Sequence, residues 1–239
     1  MRVLSQPFSF LRCLICTALI LNGCANPKFA EMRNRISSNV AQDSGYSETF
    51  LAGVAGNMTV GQAKDIIKKS GEARTELLVY LRGVDSGIRY QPRDQVTSYF
   101  TAEQGFFDAF SRVEAANADL KSLEEDRHRQ ATSDYSSVAD WDQIIAKLET
   151  KKKEVVAQKA EALRALDQMA SLEPQLQKDL EADKIKMNLS WTKDQTRMQK
   201  LKQMFAPIKV DDETENVFRN SYNAIRQYKE FKETQRRSY

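Results

Sequence analysis

From Phe106 to Tyr239 the chain contains no glycine and only two prolines, Pro174 and Pro207, whereas all nine glycines lie at or before Gly105. Glycine and proline disfavour a helix interior by about 1 and 3 kcal/mol relative to alanine, so more than half of this chain is composed to be helical. Apolar spacing agrees with that reading. A first stripe, Val60, Ala63, Ile67, Leu77, Leu81, Val84 and Ile88, steps by three and four, with Ser70 and Arg74 as polar interruptions and Thr59 as the N-cap. A second runs through Val96, Tyr99, Phe106, Phe110, Val113, Ala116 and Leu120, is entered after "QPRD", and is interrupted at Glu103. A third, Val138, Trp141, Ile145, Leu148, Val155, Ala162, Leu166 and Met169, is the longest.

Pro174 either kinks one very long helix or opens a fourth one carrying Leu176, Leu180, Met187, Trp191, Met198, Leu201 and Phe205. The favoured reading is a tight connection around "SLEP", because a turn there folds two stripes of similar length onto each other. Pro207 closes that helix, and Asp211 and Asp212 begin a last one with Val217, Phe218, Ile225, Tyr228 and Phe231 on one face. The stripes are narrow and 29% of the residues are charged. The expected fold is all-α, an elongated antiparallel helical bundle with long, coiled-coil-like helices over residues 58–239. No repeat of 20 to 50 residues supports a solenoid.

Residues 24–57 read differently, as a flexible tether rich in Asn, Ser, Gln and Gly without a sustained period. Within it "FLAGVAG", Phe50 to Gly56, is a poor isolated helix and is expected to dock onto the bundle. The aromatic cluster Tyr99, Phe100, Phe106, Phe107 and Phe110 is expected to fill the core. Phe106 and Phe107, being adjacent, are not expected to face the same neighbour, and Phe100 or Phe107 is expected to be partly exposed.

Residues 1–23 have the three-part layout of a secretory leader: Arg2 and Arg12, the short apolar run "CLICTALIL", and small Gly23 before Cys24. The apolar run is about half of what a membrane span requires. The sequence Leu21-Asn22-Gly23-Cys24 resembles the lipobox of bacterial lipoproteins, with an aliphatic residue at −3, a small residue at −1 and cysteine at +1; Asn22 departs from the usual −2 residue. The resemblance covers only this leader, and no family is identified for the helical region. It implies cleavage before Cys24, a lipidated Cys24 as the mature N-terminus carrying palmitate-type acyl chains, and, with Ala25 rather than Asp following, export to the outer membrane. Cys13 and Cys16 form a CxxC that would be discarded with the leader, leaving no disulfide for the mature chain.

The residues complete no catalytic or metal-binding pattern. His128 is the single histidine; Glu125-x-x-His128 is half of a di-iron motif and has no second histidine to complete it. The same count removes HExxH zinc sites, and no P-loop, GxGxxG or GxSxG occurs. No catalytic, cofactor-binding or metal-binding residue is assigned, and the chain is read as no enzyme. Net charge is +3, and the loss of Arg2 and Arg12 lowers it by two, so a nucleic-acid partner has no electrostatic support. "KKK", Lys151 to Lys153, lies between Glu149 and Glu154 and reads as a solvated face. Lys232, Arg236 and Arg237 suit the end of a helix. The sequons at Asn57 and Asn188 carry little weight.

The sequence-based expectation is a lipid-anchored envelope protein, held to the membrane through Cys24. Its bundle, facing periplasm or cell surface, would serve as scaffold, adaptor or accessory subunit with a protein partner in the envelope or in a secretion assembly. Two other classes stay open: a membrane-active effector or surface antigen, and an envelope enzyme or ligand carrier with an unrecognised pocket.

Overall fold

The computed structural model describes residues 27–239 except 57, 59, 85–90, 188–190, 192, 193, 208 and 209, with only the backbone described at 55, 60 and 91. Six helices and no strand occur among the described residues: α1 (Pro27–Ala55), α2 (Val60–Gly83), α3 (Gln91–Thr132), α4 (Val138–Ala182), α5 (Gln195–Phe205) and α6 (Asp212–Arg237). The expected all-α fold of long packed helices is therefore the observed one.

The most extensive packing is between α3 and α4, of 42 and 45 residues, joined by the short turn 133–137. At 1.5 Å per residue each spans more than about 60 Å. Ser137 starts α4 as a capping box: its hydroxyl accepts from Asp140 N, and the Asp140 carboxylate accepts from Ser137 N at 2.9 Å. Cross-helix pairs step in opposite directions along the two helices, Arg112 to Glu161 at 2.6 Å, Lys151 to Asp119 at 3.1 Å and Lys152 to Glu124 at 3.4 Å, which is antiparallel register. Surface pairs of this kind contribute under about 1 kcal/mol each, so they mark the register more than they hold it.

Residues 27–55 are not a tether. Met32, Ile36, Val40, Phe50 and Leu51 of α1 are buried in the main core, so the folded body includes Pro27–Ala55 and is not confined to residues from 58 onward. Along α1 the buried residues Met32, Ile36, Val40, Asp43, Ser47 and Phe50 form an unbroken three-and-four stripe whose fourth and fifth members are polar, with Ser44 and Leu51 buried beside it. An apolar count loses the period there. The "FLAGVAG" segment is the end of this helix: Phe50 is docked in the core, and Met58 folds back so that its N–H donates to Gly53 O at 2.8 Å. A Cβ at Gly53 would stand 2.2 Å from the Met58 terminal methyl and 3.0 Å from the Met58 Cβ, so a side chain there would displace the end of Met58 from its close return.

Pro174 neither turns the chain nor opens a helix; it lies inside α4. Proline removes the hydrogen bond to the Ala170 carbonyl. Met169, Leu176 and Leu180, all fully buried, hold the helix on both sides of that gap. The true stop is ten residues on, where Lys184 takes φ 60°. Ile185 N donates to Leu180 O and Lys184 N to Glu181 O, both at 2.9 Å, closing a Schellman motif with a lysine where glycine is usual.

Two apolar clusters result. The main one joins α1, α2, the first half of α3, the second half of α4 and α5. The other lies at the α3–α4 turn, where Trp141, Ile144, Ile145 and Leu148 meet Leu120, Leu123 and the α6 residues Phe218, Tyr222 and Ile225. Trp141 is about 30 Å along α4 from Ala162, where the main cluster begins. The α3–α4 hairpin is thus an arm whose far end carries α6.

Candidate functional site

The three polar interruptions of the sequence stripes are among the most buried residues of the protein. Ser70, Arg74 and Glu103 are 0%, 1% and 0% exposed, as are Asp43 and Ser47 of α1 at 2% and 0%. Each occupies a core-facing position at one level of the bundle, so three helices direct polar groups at one another. Ser70 Oγ donates to Asp43 Oδ1 at 2.6 Å, and Arg74 Nη1 donates to the same oxygen at 2.9 Å and also contacts Ser70 Oγ. Arg74 Nε donates to Gln104 Oε1 at 3.2 Å, and the guanidinium lies 4.6 Å from the Phe107 ring centre. Glu103 Oε1 accepts from Ser47 Oγ at 3.0 Å and from Trp191 Nε1 at 3.2 Å, while its Oε2 stands 3.7 Å from Arg74 Nη1.

One guanidinium thus faces two carboxyl groups. Burial, and then the Asp43 charge beside it, push the Glu103 carboxyl well above the usual range against the opposing pull of Arg74. With Asp43 ionised and Glu103 protonated the cluster is neutral, the state that low-dielectric burial favours. Burial, and then the carboxyl groups of Glu103, Glu173 and Asp43, also raise the Tyr99 hydroxyl well above its ordinary value. The cluster has no nucleophile open to solvent and joins residues 27 to 88 apart in sequence. Its chemistry is that of a buried lock between α1, α2, α3 and the segment after α4.

Aromatic rings surround it. Phe106 and Phe107 both contact Phe50, with centroids at 6.3 and 5.1 Å, and both contact Trp191, at 5.5 and 6.1 Å. This corrects the expectation that neighbours in sequence cannot share a partner. Phe100 and Phe107, expected to be partly exposed, are 1% and 0% exposed. α3 is covered from several sides at this level, and its solvent face is narrowed to Thr101, Gln104, Gly105 and Asp108.

At the other end of the arm, α6 is clamped to the α3–α4 turn by polar contacts. Tyr222 stacks on Trp141 and donates through its hydroxyl to Asp142 Oδ1 at 2.7 Å. Lys229 Nζ donates to Ser133 O at 3.2 Å and to Ser136 Oγ, and burial lowers its pKa. Glu233 Oε1 accepts from Val138 N at 2.7 Å, satisfying a free N–H in the first turn of α4. The expected single apolar face of α6 divides: Phe218 and Ile225 turn toward the arm, whereas Val217, Tyr228 and Phe231 are 60%, 45% and 57% exposed.

Cys24, with the whole leader, Cys13 and Cys16, lies outside the described residues, as do Asn57, Thr59, Ile88 and Asn188. His128 and Glu125 are exposed on α3 and are not brought together with other candidate ligands. Among the described residues no group of three or more His, Cys, Asp or Glu is placed to hold a metal ion, and no helix is long and apolar enough to cross a membrane. No protein-family model, curated protein or solved structure matches this chain.

Proposed function

We propose that the chain is a lipid-anchored envelope protein, attached through acylated Cys24, whose helical body is a non-enzymatic scaffold or adaptor. The observation that carries the adaptor part is the arm: α3 and α4 carry α6, with exposed Val217, Tyr228 and Phe231, past the end of the main core, from the level of Lys152 to that of Val138, about 15 to 35 Å along α4 from Ala162. A spacer of two paired helices with an apolar-edged helix at its end suits the holding of a partner away from the anchored body. The leader and the Leu21-Asn22-Gly23-Cys24 pattern support the anchor.

A ligand carrier is a second reading with one feature in its favour. Val54, Met58, Ala63, Phe110 and Met204 line an open groove of about 660 Å³ edged by Glu114 and Lys200, within the usual size of small-molecule sites.

Cys24→Ser should abolish labelling by a palmitate analogue and leave uncleaved precursor; labelling that survives overturns the anchor. Crosslinking in cells from a photoreactive residue at position 231 should capture a reproducible envelope protein. Capture of lipid alone would favour the membrane-active class instead.

A further inference from the structure

We propose that the end of the body at which α1 begins is a membrane-facing surface that rests on anionic phospholipid headgroups and points the arm away from the bilayer. The proposal rests on the Cys24 anchor. Four helix ends meet at this surface. Arg33 Nη2 of α1 donates to Asp183 O, just past α4, at 2.7 Å, and the Arg35 guanidinium lies 4.6 Å from the ring centre of Tyr80 in the last turn of α2. Arg93 Nη2 of α3 donates to Leu81 O and Val84 O at the end of α2, at 2.9 and 3.2 Å. Pro27, the first residue of α1, is three residues after Cys24, a reach of about 10 Å when fully extended. That is about one Debye length at physiological salt, so an acyl group on Cys24 keeps the start of α1 within electrostatic range of headgroups whatever the tilt of the body.

The charges at this end decide the tilt. Two helices begin here and two end here, so their dipoles oppose one another and the side chains set the potential. Residues 27–35, 78–84, 92–98 and 176–187 carry eight cationic and five acidic side chains. The chain from residue 24 has an excess of only one, the net +3 less Arg2 and Arg12, so the rest of the body is acidic on balance. Lys28, Arg82, Lys178, Lys184 and Lys186 are exposed, and among the described residues the last four form no ion pair. Of the acids, Glu31 is engaged by Arg35 at 3.3 Å, while Asp179 and Glu181 accept from Gln175 and Gln177 at 2.7 and 3.0 Å. Basic side chains held this close to an anionic leaflet are attracted to it, and the acidic remainder is repelled. Resting on this end, the body raises the α3–α4 turn about 60 Å from the bilayer, the length of α3, and carries α6 clear of the lipid.

The test uses the chain recovered from cells and reconstituted into vesicles, with a fluorophore on Gly83→Cys, where an added Cβ meets nothing within 4 Å, or on Tyr135→Cys at the arm's turn. Quenching by a lipid that carries a spin label on its headgroup should be at least about twofold stronger at position 83 in vesicles containing phosphatidylglycerol than in phosphatidylcholine alone, and weak at 135 in both. Salt at about 1 M, where the Debye length is about 3 Å, should abolish the difference. Arg82→Glu, Lys178→Glu and Lys186→Glu together should also abolish it, whereas Arg82→Lys with Lys178→Arg and Lys186→Arg should preserve it. Lys232→Glu with Arg237→Glu, at the far end, should leave it unchanged. Equal quenching at position 83 in the two vesicles, quenching at 135 as strong as at 83, or a difference that survives the charge reversals would overturn the proposal. Failure of the anchor reads separately: the parent chain would then take up label at Cys24, and the same comparison in a background with Cys13, Cys16 and Cys24 replaced by serine reads the basic end alone.

Discussion

Replacing Glu103 by glutamine isolates the protonation of the buried lock. Glutamine keeps an acceptor for Ser47 Oγ and Trp191 Nε1, now at 3.0 and 3.2 Å from Glu103 Oε1, and its amide reproduces the donor of a protonated carboxyl. In acid, where Glu103 is protonated folded and unfolded, the exchange should therefore cost no more than about 1 kcal/mol. The two proteins part as pH rises. Burial and Asp43 raise the folded-state pKa of Glu103 above its ordinary 4.5, so the native state keeps a proton that the unfolded chain releases. Stability from this group is fully present below 4.5 and is lost as pH climbs toward the raised folded value, by about 1.4 kcal/mol per pH unit. Glu103→Gln has no such proton, and the other titrating groups are common to both proteins. Urea denaturation of both at half-unit steps upward from about pH 5 should show the variant gaining on the parent for as long as folded Glu103 keeps its proton. A difference that stays flat, or that falls with pH, would refute a protonated Glu103.

Arg74→Met leaves the Asp43 carboxylate buried without its cation and should cost about 3–5 kcal/mol, read as a fall in the urea midpoint. Pro174→Ala restores a backbone donor within a continuous α4 and should raise stability by up to about 3 kcal/mol; destabilisation would show that the helix depends on a bend there. Lys184→Gly relieves the left-handed residue that ends α4 and should add about 0.5–1 kcal/mol, visible as a higher thermal midpoint. Ser137→Ala removes the capping box at the arm's turn and should cost about 1 kcal/mol by the same measurement.

Much of the helical framework is legible in the residues because its signals are local. The loss of glycine after Gly105, the Ser137 and Asp211 caps and the apolar steps of Val138 to Met169 each act within a turn or two of helix. The expected start at Val138 and the last helix after Asp211 accordingly match the structure. The lock is a different case. Ser70, Arg74 and Glu103 are visible in the sequence as breaks in apolar stripes, and a break is what a solvated residue also produces. The available signal was that each keeps the register of its stripe, as Asp43 and Ser47 do in α1. The last helix is half legible: its apolar residues Val217, Phe218, Ile225, Tyr228 and Phe231 are in the sequence, but which of them face the arm and which face solvent is not.

By itself, then, the order of residues determined that the chain is helical and where most helices begin, since propensity and capping are properties of a few adjacent residues. Tertiary structure decided that residues 27–55 belong to the core, that α4 runs through Pro174, and that Asp43, Arg74 and Glu103 meet out of water. Each of those outcomes depends on groups from distant segments supplying what the local chain lacks: packing for an irregular stripe, buried neighbours on both sides of a missing hydrogen bond, and a counter-charge for each buried charge.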